Sequence, residues 1–333
     1  ALTISDYRQG DMAARTPDDV GRWVSQFPND VQIPILAEMD YVLKKTYFSR
    51  KQVIGFLRGV AHTKKLVGDD SAAFWREACL LDIQGGGASQ KEMLALFSKV
   101  LKSELDVDVA PGPTQPRAFV YLDDGIFTGN RVLGDLRRWI AESAPANSTL
   151  HVIANAVHRG GEFYASQNVK AAAKAASKEI NVTWWHAIHL EDRKSFTASS
   201  DVLRPTIIPT DPLVSAYVRA MKYQPNLRQA GQVGGNALFS NDAGRQLLEQ
   251  EFLKAGCYIR SKCPHLGDTQ RPLGHMTLDT LGFGSMIVTF RNCPNNAPLA
   301  HWAGNPWFPL FPRATNNATA MKRLLENLAK DFG

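Results

Sequence analysis

No run of apolar residues in this sequence approaches the ~20 needed to cross a bilayer, so no membrane-spanning helix and no membrane partner are expected. Cysteine is scarce. Cys79, Cys257, Cys263 and Cys293 are too few and too scattered for a disulfide framework. No Cys-x-x-Cys occurs, and the separations among Cys257, Cys263, His265 and His275 fit none of the common zinc patterns. A Gly-x-Ser-x-Gly elbow, a Walker sequence and a His-Glu-x-x-His helix are also missing, so none of those mechanisms is indicated. There is no low-complexity tract and no Lys/Arg-rich block. The segment Ala1-Leu-Thr-Ile-Ser-Asp-Tyr-Arg8 has neither the charge order nor the apolar core of a signal peptide. A cytoplasmic protein is the expectation.

What remains is an ordinary globular composition, 44% hydrophobic and 21% charged over 333 residues, enough for one large domain or two. The net charge of +6 is spread along the chain and favours anionic ligands only weakly.

Periodicity divides the chain into three parts. Residues 1–65 read as a helical N-terminal subdomain, with Thr16-Pro-Asp-Asp19 as a helix start and helical spacing over 32–45 and 49–57. Residues 66–200 alternate strands with helices. Strands are expected at 78–83, 118–122, 150–155 and 180–188, and helices at 91–105, from Val132 to about Ser143, and at 162–178. That order implies an α/β fold built on a Rossmann-like parallel sheet covered on both faces, which binds ligands outside the carboxyl ends of its strands. Residues 201–333 read as an extension packing on that core, with helices at 211–222 and 241–254 and a buried strand at 286–290. Its last part, His301 to Arg313, is too rich in proline and aromatic residues for regular structure. Trp302, Trp307, Phe308 and Phe311 must gain their order there by packing.

Three stretches fall on the expected rim. The first is Asp123-Asp124-Gly125-Ile126-Phe127-Thr128-Gly129-Asn130-Arg131, where two carboxylates end an apolar strand and a small-residue loop opens a helix. Loop amides and the positive helix end suit a phosphate, and carboxylates accept hydrogen bonds from sugar hydroxyls directly or through a cation. The plainer alternative is a strand–turn–helix whose acids solvate a strand end. The second is Gly85-Gly86-Gly87-Ala88-Ser89, with Lys91 just beyond, either a ligand loop or merely a tight turn. The third is the loop from Asn155 to Gly161, in which His158 and Arg159 are candidate substrate contacts. His186 and His189, beside Trp184 and Trp185, read as core and edge packing.

The first stretch resembles the phosphoribosyl-pyrophosphate (PRPP) loop of type I phosphoribosyltransferases: an apolar strand, two acids, three residues, Thr-Gly, one residue and a Thr. Asp123-Asp124 and Thr128-Gly129 match. Arg131 takes the place of the final Thr, and Phe127 replaces a residue that is often Thr. The Asn292-Cys-Pro-Asn-Asn296 stretch, the Trp307-Phe-Pro-Leu-Phe-Pro-Arg313 ending and the start around Arg22-Trp23-Val-Ser-Gln-Phe27 resemble phosphoribosyltransferase-like proteins of bacterial conflict and anti-phage systems, some of them encoded beside retron reverse transcriptases.

The resemblance implies a Mg2+-dependent site for PRPP or a related nucleotide. The 5-phosphate would lie on Gly125 to Arg131, the ribose hydroxyls and, indirectly, Mg2+ near Asp123 and Asp124, and the pyrophosphate by the loop Gly85, Gly86, Gly87, Ala88, Ser89 with Lys91. It further implies an antiviral effector with a defence-complex partner such as a reverse transcriptase and its nucleic acid. Three readings stay open: a transferase or hydrolase of ribosyl phosphates, salvage included; a non-catalytic PRPP or nucleotide sensor; and a nucleic-acid-binding component using Trp302 and Trp307 as stacking platforms.

Overall fold

The computed structural model describes residues 1–85, 89–109, 113–263 and 266–313. Two compact units share the chain: a continuous one, Arg50–Arg193, and one that joins Ala1–Ser49 to the chain from Lys194 onward.

The continuous unit is the α/β part. Its strands are β1 (Ala78–Leu80), β2 (Ala118–Ile126), β3 (Asn147–His158) and β4 (Glu179–Leu190), joined by helices α1 (Ser89–Leu105), α2 (Asn130–Glu142) and α3 (Arg159–Ala175). The four strands form one sheet in the order β1-β2-β3-β4, every pair parallel. This is the Rossmann-like arrangement that the alternating pattern implies. β2 and β3 are inner strands and are buried along nearly their whole length, as parallel strands covered on both faces should be. Exposed and half-buried positions mix along β4, because it forms the sheet's edge. On one face, Phe119, Tyr121, Val152 and Ala154 pack against Val132, Leu136 and Trp139 of α2 and against Ala165 and Val169 of α3.

Several boundaries differ from the sequence reading. β1 ends at Leu80 rather than Ile83. β2 runs through the acidic pair to Ile126 rather than stopping at Leu122. β3 extends to His158 and α3 begins at Arg159, so the expected third loop from Asn155 to Gly161 does not exist: its residues are strand end and first helical turn. Backbone pairing between β2 and β3 continues over Gly125↔Ala156 and Ile126↔Val157, and this ladder needs no apolar side chains to persist.

The division at residue 65 is also corrected. The helix Arg50–His62 packs on α1 of the sheet unit, with Arg58 Nε 2.8 Å from Glu104. The segment before it shares a core with the later chain: Trp23 meets Phe252 edge-on at 6.2 Å, and Phe27 meets Trp307 at 5.4 Å. A few amphipathic helices cannot close a core alone, and these complete theirs with the aromatic tail. Thr16 caps its helix through a reciprocal capping box with Asp19, as its sequence indicates. The expected strand at 286–290 is reduced to Val288–Thr289, paired in parallel with Tyr47–Phe48.

The tail gains its order by burial. Trp302 and Trp307 are each 5% exposed. The indoles of Trp23 and Trp307 both donate to the Ala300 carbonyl, at 2.8 and 2.9 Å. Rings enclosed in this way offer no face to a nucleic-acid base, so the stacking-platform reading falls. Among the described residues no helix is long and apolar enough to cross a membrane.

Candidate functional site

β2 delivers the acidic pair to the carboxyl rim of the sheet. Asp123 is 3% exposed and Asp124 is half-buried, so the two acids are not equivalent. The Asp124 amide donates to Asp123 Oδ1 at 2.8 Å. Burial, and then the neighbouring Asp124, raise the Asp123 carboxyl well above the ordinary carboxylate range, while a hydrogen bond from Ser89 opposes that rise. Asn155, fully buried on β3, holds the strand end by donating its side-chain amide to the Asp124 carbonyl at 3.2 Å.

Beyond the acids the chain turns through Phe127, Thr128 and Gly129 into α2. Gly129 has φ +77, the left-handed conformation that glycine adopts without strain. A side chain there would overlap the backbone of Gly161, and one on Gly161 would overlap the Phe127 carbonyl. Two glycines thus let this loop lie directly against the first turn of α3. The amide of Asn130 faces Thr128 Oγ1 at 3.5 Å, so the first amides of α2 and Thr128 lie together at the positive end of the helix. Asn130 and Arg131 are exposed there.

Phe127 and His158 take roles that differ from the expectation. The Phe127 ring folds back over Gly125 and lies 5.0 Å from the His158 ring. His158 is 1% exposed, and its Nδ1 lies 3.0 Å from the Ile126 carbonyl oxygen, which makes Nδ1 the protonated nitrogen. Burial pushes its pKa down to about 4. It is a neutral prop beneath the loop rather than a surface group awaiting substrate. Arg159 stays half-exposed, 3.9 Å from Glu191.

The Gly85 loop adjoins the acidic pair through Ser89, whose hydroxyl donates to Gln84 Oε1 at 3.1 Å and which works against the rise of the Asp123 pKa. Gly86, Gly87 and Ala88 lie outside the described residues. The flanks of the loop are clasped by two glutamines. Gln90 Oε1 accepts from the amides of Ile83 and Gln84, both at 2.8 Å, and Gln84 Oε1 accepts from the Gln90 amide at 3.2 Å. On the other side, Asp135 of α2 accepts from the Gly85 amide at 3.4 Å, from Tyr121 at 3.0 Å and from Arg138 at 3.0 Å. Arg138 also bonds the Ile83 carbonyl at 3.0 Å. Lys91 is exposed one turn along α1.

Gln84, Gln90, Asp135 and Arg138 escape the sequence reading. Asp135 leaves one trace there: an acid on the apolar face of a helix, among Val132, Leu136 and Trp139. A buried acid needs partners, so such a position points to a polar network. Among the described residues no group of three or more His, Cys, Asp or Glu side chains is placed to hold a metal, the Cys257–His275 region included, where His265 lies outside the described residues.

A four-stranded parallel sheet interleaved with helices, with an acid pair and an amide-lined helix start on its carboxyl rim, is the architecture of a phosphoribosyltransferase-like α/β protein. The chain belongs to the PRTase-CE family, whose model matches residues 20–313. No curated protein and no solved structure gives a significant match.

Proposed function

We propose that the rim binds PRPP or a closely related ribosyl phosphate and transfers or hydrolyses its ribosyl group. The observation that carries this reading is the convergence of three parts: Asp124 near the end of β2, the amides from Thr128 to Arg131 at the start of α2, and Ser89 of the Gly85 loop beside Asp123. The α2 amides suit the 5-phosphate, Asp124 the ribose hydroxyls, and the clasped Gly85 loop the diphosphate.

Mg2+ fits this chain as an ion brought by the diphosphate, since it keeps several waters and needs only one or two carboxylates. Asp124, half-buried and carrying one carboxylate to the rim, suits that role, and Asp123 supports it from below. Bound there, the ion would neutralise the departing diphosphate.

Calorimetry with PRPP and Mg2+, coupled to a pyrophosphate-release assay, tests the proposal. Wild type is expected to bind, and Asp124→Asn to weaken binding at least tenfold. Unchanged binding in that variant would overturn the reading. A sensor that binds without bond breaking is the second reading. The Arg at 131 and the deep burial of Asp123 favour it, because both depart from an open acid pair with a full phosphate-binding hydroxyl set. In the finer reading the site belongs to an anti-phage effector, retron-associated and acting with a partner such as a reverse transcriptase and its nucleic acid. This rests on the resemblance of the tail and the Arg22–Phe27 start, and phage challenge of cells carrying the Asp124→Asn variant tests it.

A further inference from the structure

The two edges of the parallel sheet are of unequal kind. β1 ends the sheet on one side with 3 residues, a length that protects an edge by brevity. β4 ends it on the other side with 12 residues, and its paired side faces β3. The described backbone–backbone hydrogen bonds of Ile180 to Ile188 all run to β3. In a parallel pair every second residue turns its N–H and C=O the other way, so this stretch presents a row of such groups outward. Edges of this length are ordinarily blunted with lysine or proline. Ile180-Asn-Val-Thr-Trp-Trp-His-Ala-Ile188 contains no lysine, arginine, proline or glycine.

The side chains of the edge alternate. Ile180, Val182 and Trp184 are half-buried and lean on the core that α2 and α3 cover. Asn181 and Thr183, on the opposite face, are exposed. Both indoles have their donors satisfied within the unit: Trp184 Nε1 donates to Ser166 Oγ at 2.8 Å, and Trp185 Nε1 to His151 Nδ1 at 3.1 Å. Each Trp is only half-buried, so what it leaves at the edge is apolar ring surface.

We infer that β4 pairs antiparallel with β4 of a second copy of this chain, joining two four-stranded sheets into one about a two-fold axis perpendicular to them. The strand is complementary to itself in that direction. Registers centred on Thr183 or Trp184 oppose half-buried residues to half-buried ones, Val182 meeting Trp184 or His186. Glu179 is the one formal charge on the strand. Antiparallel pairing carries it to the imidazole end of its mate, whereas parallel pairing would set Glu179 beside Glu179 and leave an edge open to further copies. The area suffices: an edge about 30 Å long and roughly 20 Å thick with its side chains buries on the order of 1,200 Å² over both copies, above the about 1,000 Å² of a specific interface. The joined sheet would end in the short β1 on both sides. The two carboxyl rims would point to opposite ends of the dimer, so each copy keeps its own rim, and the pairing does not depend on what the rim binds.

Sedimentation equilibrium of the full chain tests this, with hydrogen exchange of the Ile180–Ile188 amides followed across dilution. The expected result is twice the chain mass at micromolar concentration, with alternate amides of the stretch losing protection as the dimer dissociates. Asn181→Lys combined with Thr183→Lys, both on the exposed face, should weaken dimerisation at least about tenfold by setting like charges across the axis, while far-UV circular dichroism stays that of wild type. A wild-type chain that remains monomeric at every concentration would overturn the inference, also where it captures an added extended peptide along β4. A dimer whose Ile180–Ile188 amides exchange alike before and after dilution would overturn it too, as would one that the two lysines leave unweakened.

Discussion

Gly161 bears on the site although it carries no functional group. A methyl group there would meet the Phe127 carbonyl, and both partners are backbone, so neither can yield cheaply. Gly161→Ala is expected to cost about 2 kcal/mol or more, of the order of a strained backbone position, read as a lower urea midpoint. It should also weaken PRPP binding, because the loop must lift off α3. At this scale the sequence is informative about residue type and poor about direction. Asp123, Asp124, Thr128 and Gly129 are recognisable from their spacing. That Phe127 turns inward onto His158, and that His158 bonds the Ile126 carbonyl, depends on strand register. No local pattern records it.

Among the elements, α2 links the two loops. Asp135 receives Tyr121, Arg138 and the Gly85 amide on one carboxylate that is 6% exposed. Asp135→Ala strands a buried hydroxyl and an amide, at a cost of about 2 kcal/mol, and releases the Gly85 loop. KM for PRPP should then rise more than kcat falls, whereas Tyr121→Phe should lower only stability, by about 1 kcal/mol. The helices and the three longer strands of the sheet unit are legible because their apolar periods are strong. Their ends are not. The acids at 123 and 124 look like a strand end, yet parallel pairing carries β2 on to Ile126 through backbone groups that every residue possesses.

Across the whole molecule, each unit buries a neutral imidazole. Burial lowers His158 to about 4 in the sheet unit and His301 to about 3 in the other. His301 is 0% exposed between Phe252 and Phe311, with neither ring nitrogen partnered among the described residues. In the unfolded chain both titrate near ~6.5. The unfolded state therefore binds more protons below that pH, so stability is full above it and falls as pH drops. The loss is at most about 1.4 kcal/mol per pH unit for each group. Urea midpoints at pH 7 and pH 5 are expected to show it, and His301→Leu should flatten the dependence.

The sheet unit is an unbroken stretch of chain, whereas the other unit is assembled from segments on both sides of it. On the ribosome this sets an order of events. Once Arg193 has emerged, the sheet has every strand it needs. Trp23 and Phe27 must wait for Phe252 and Trp307, more than two hundred residues later. Nascent chains halted near residue 230 should already resist protease across 50–193 while the first helices remain open to cleavage. The parts of the proposed PRPP site would thus be assembled before the aromatic tail is synthesised.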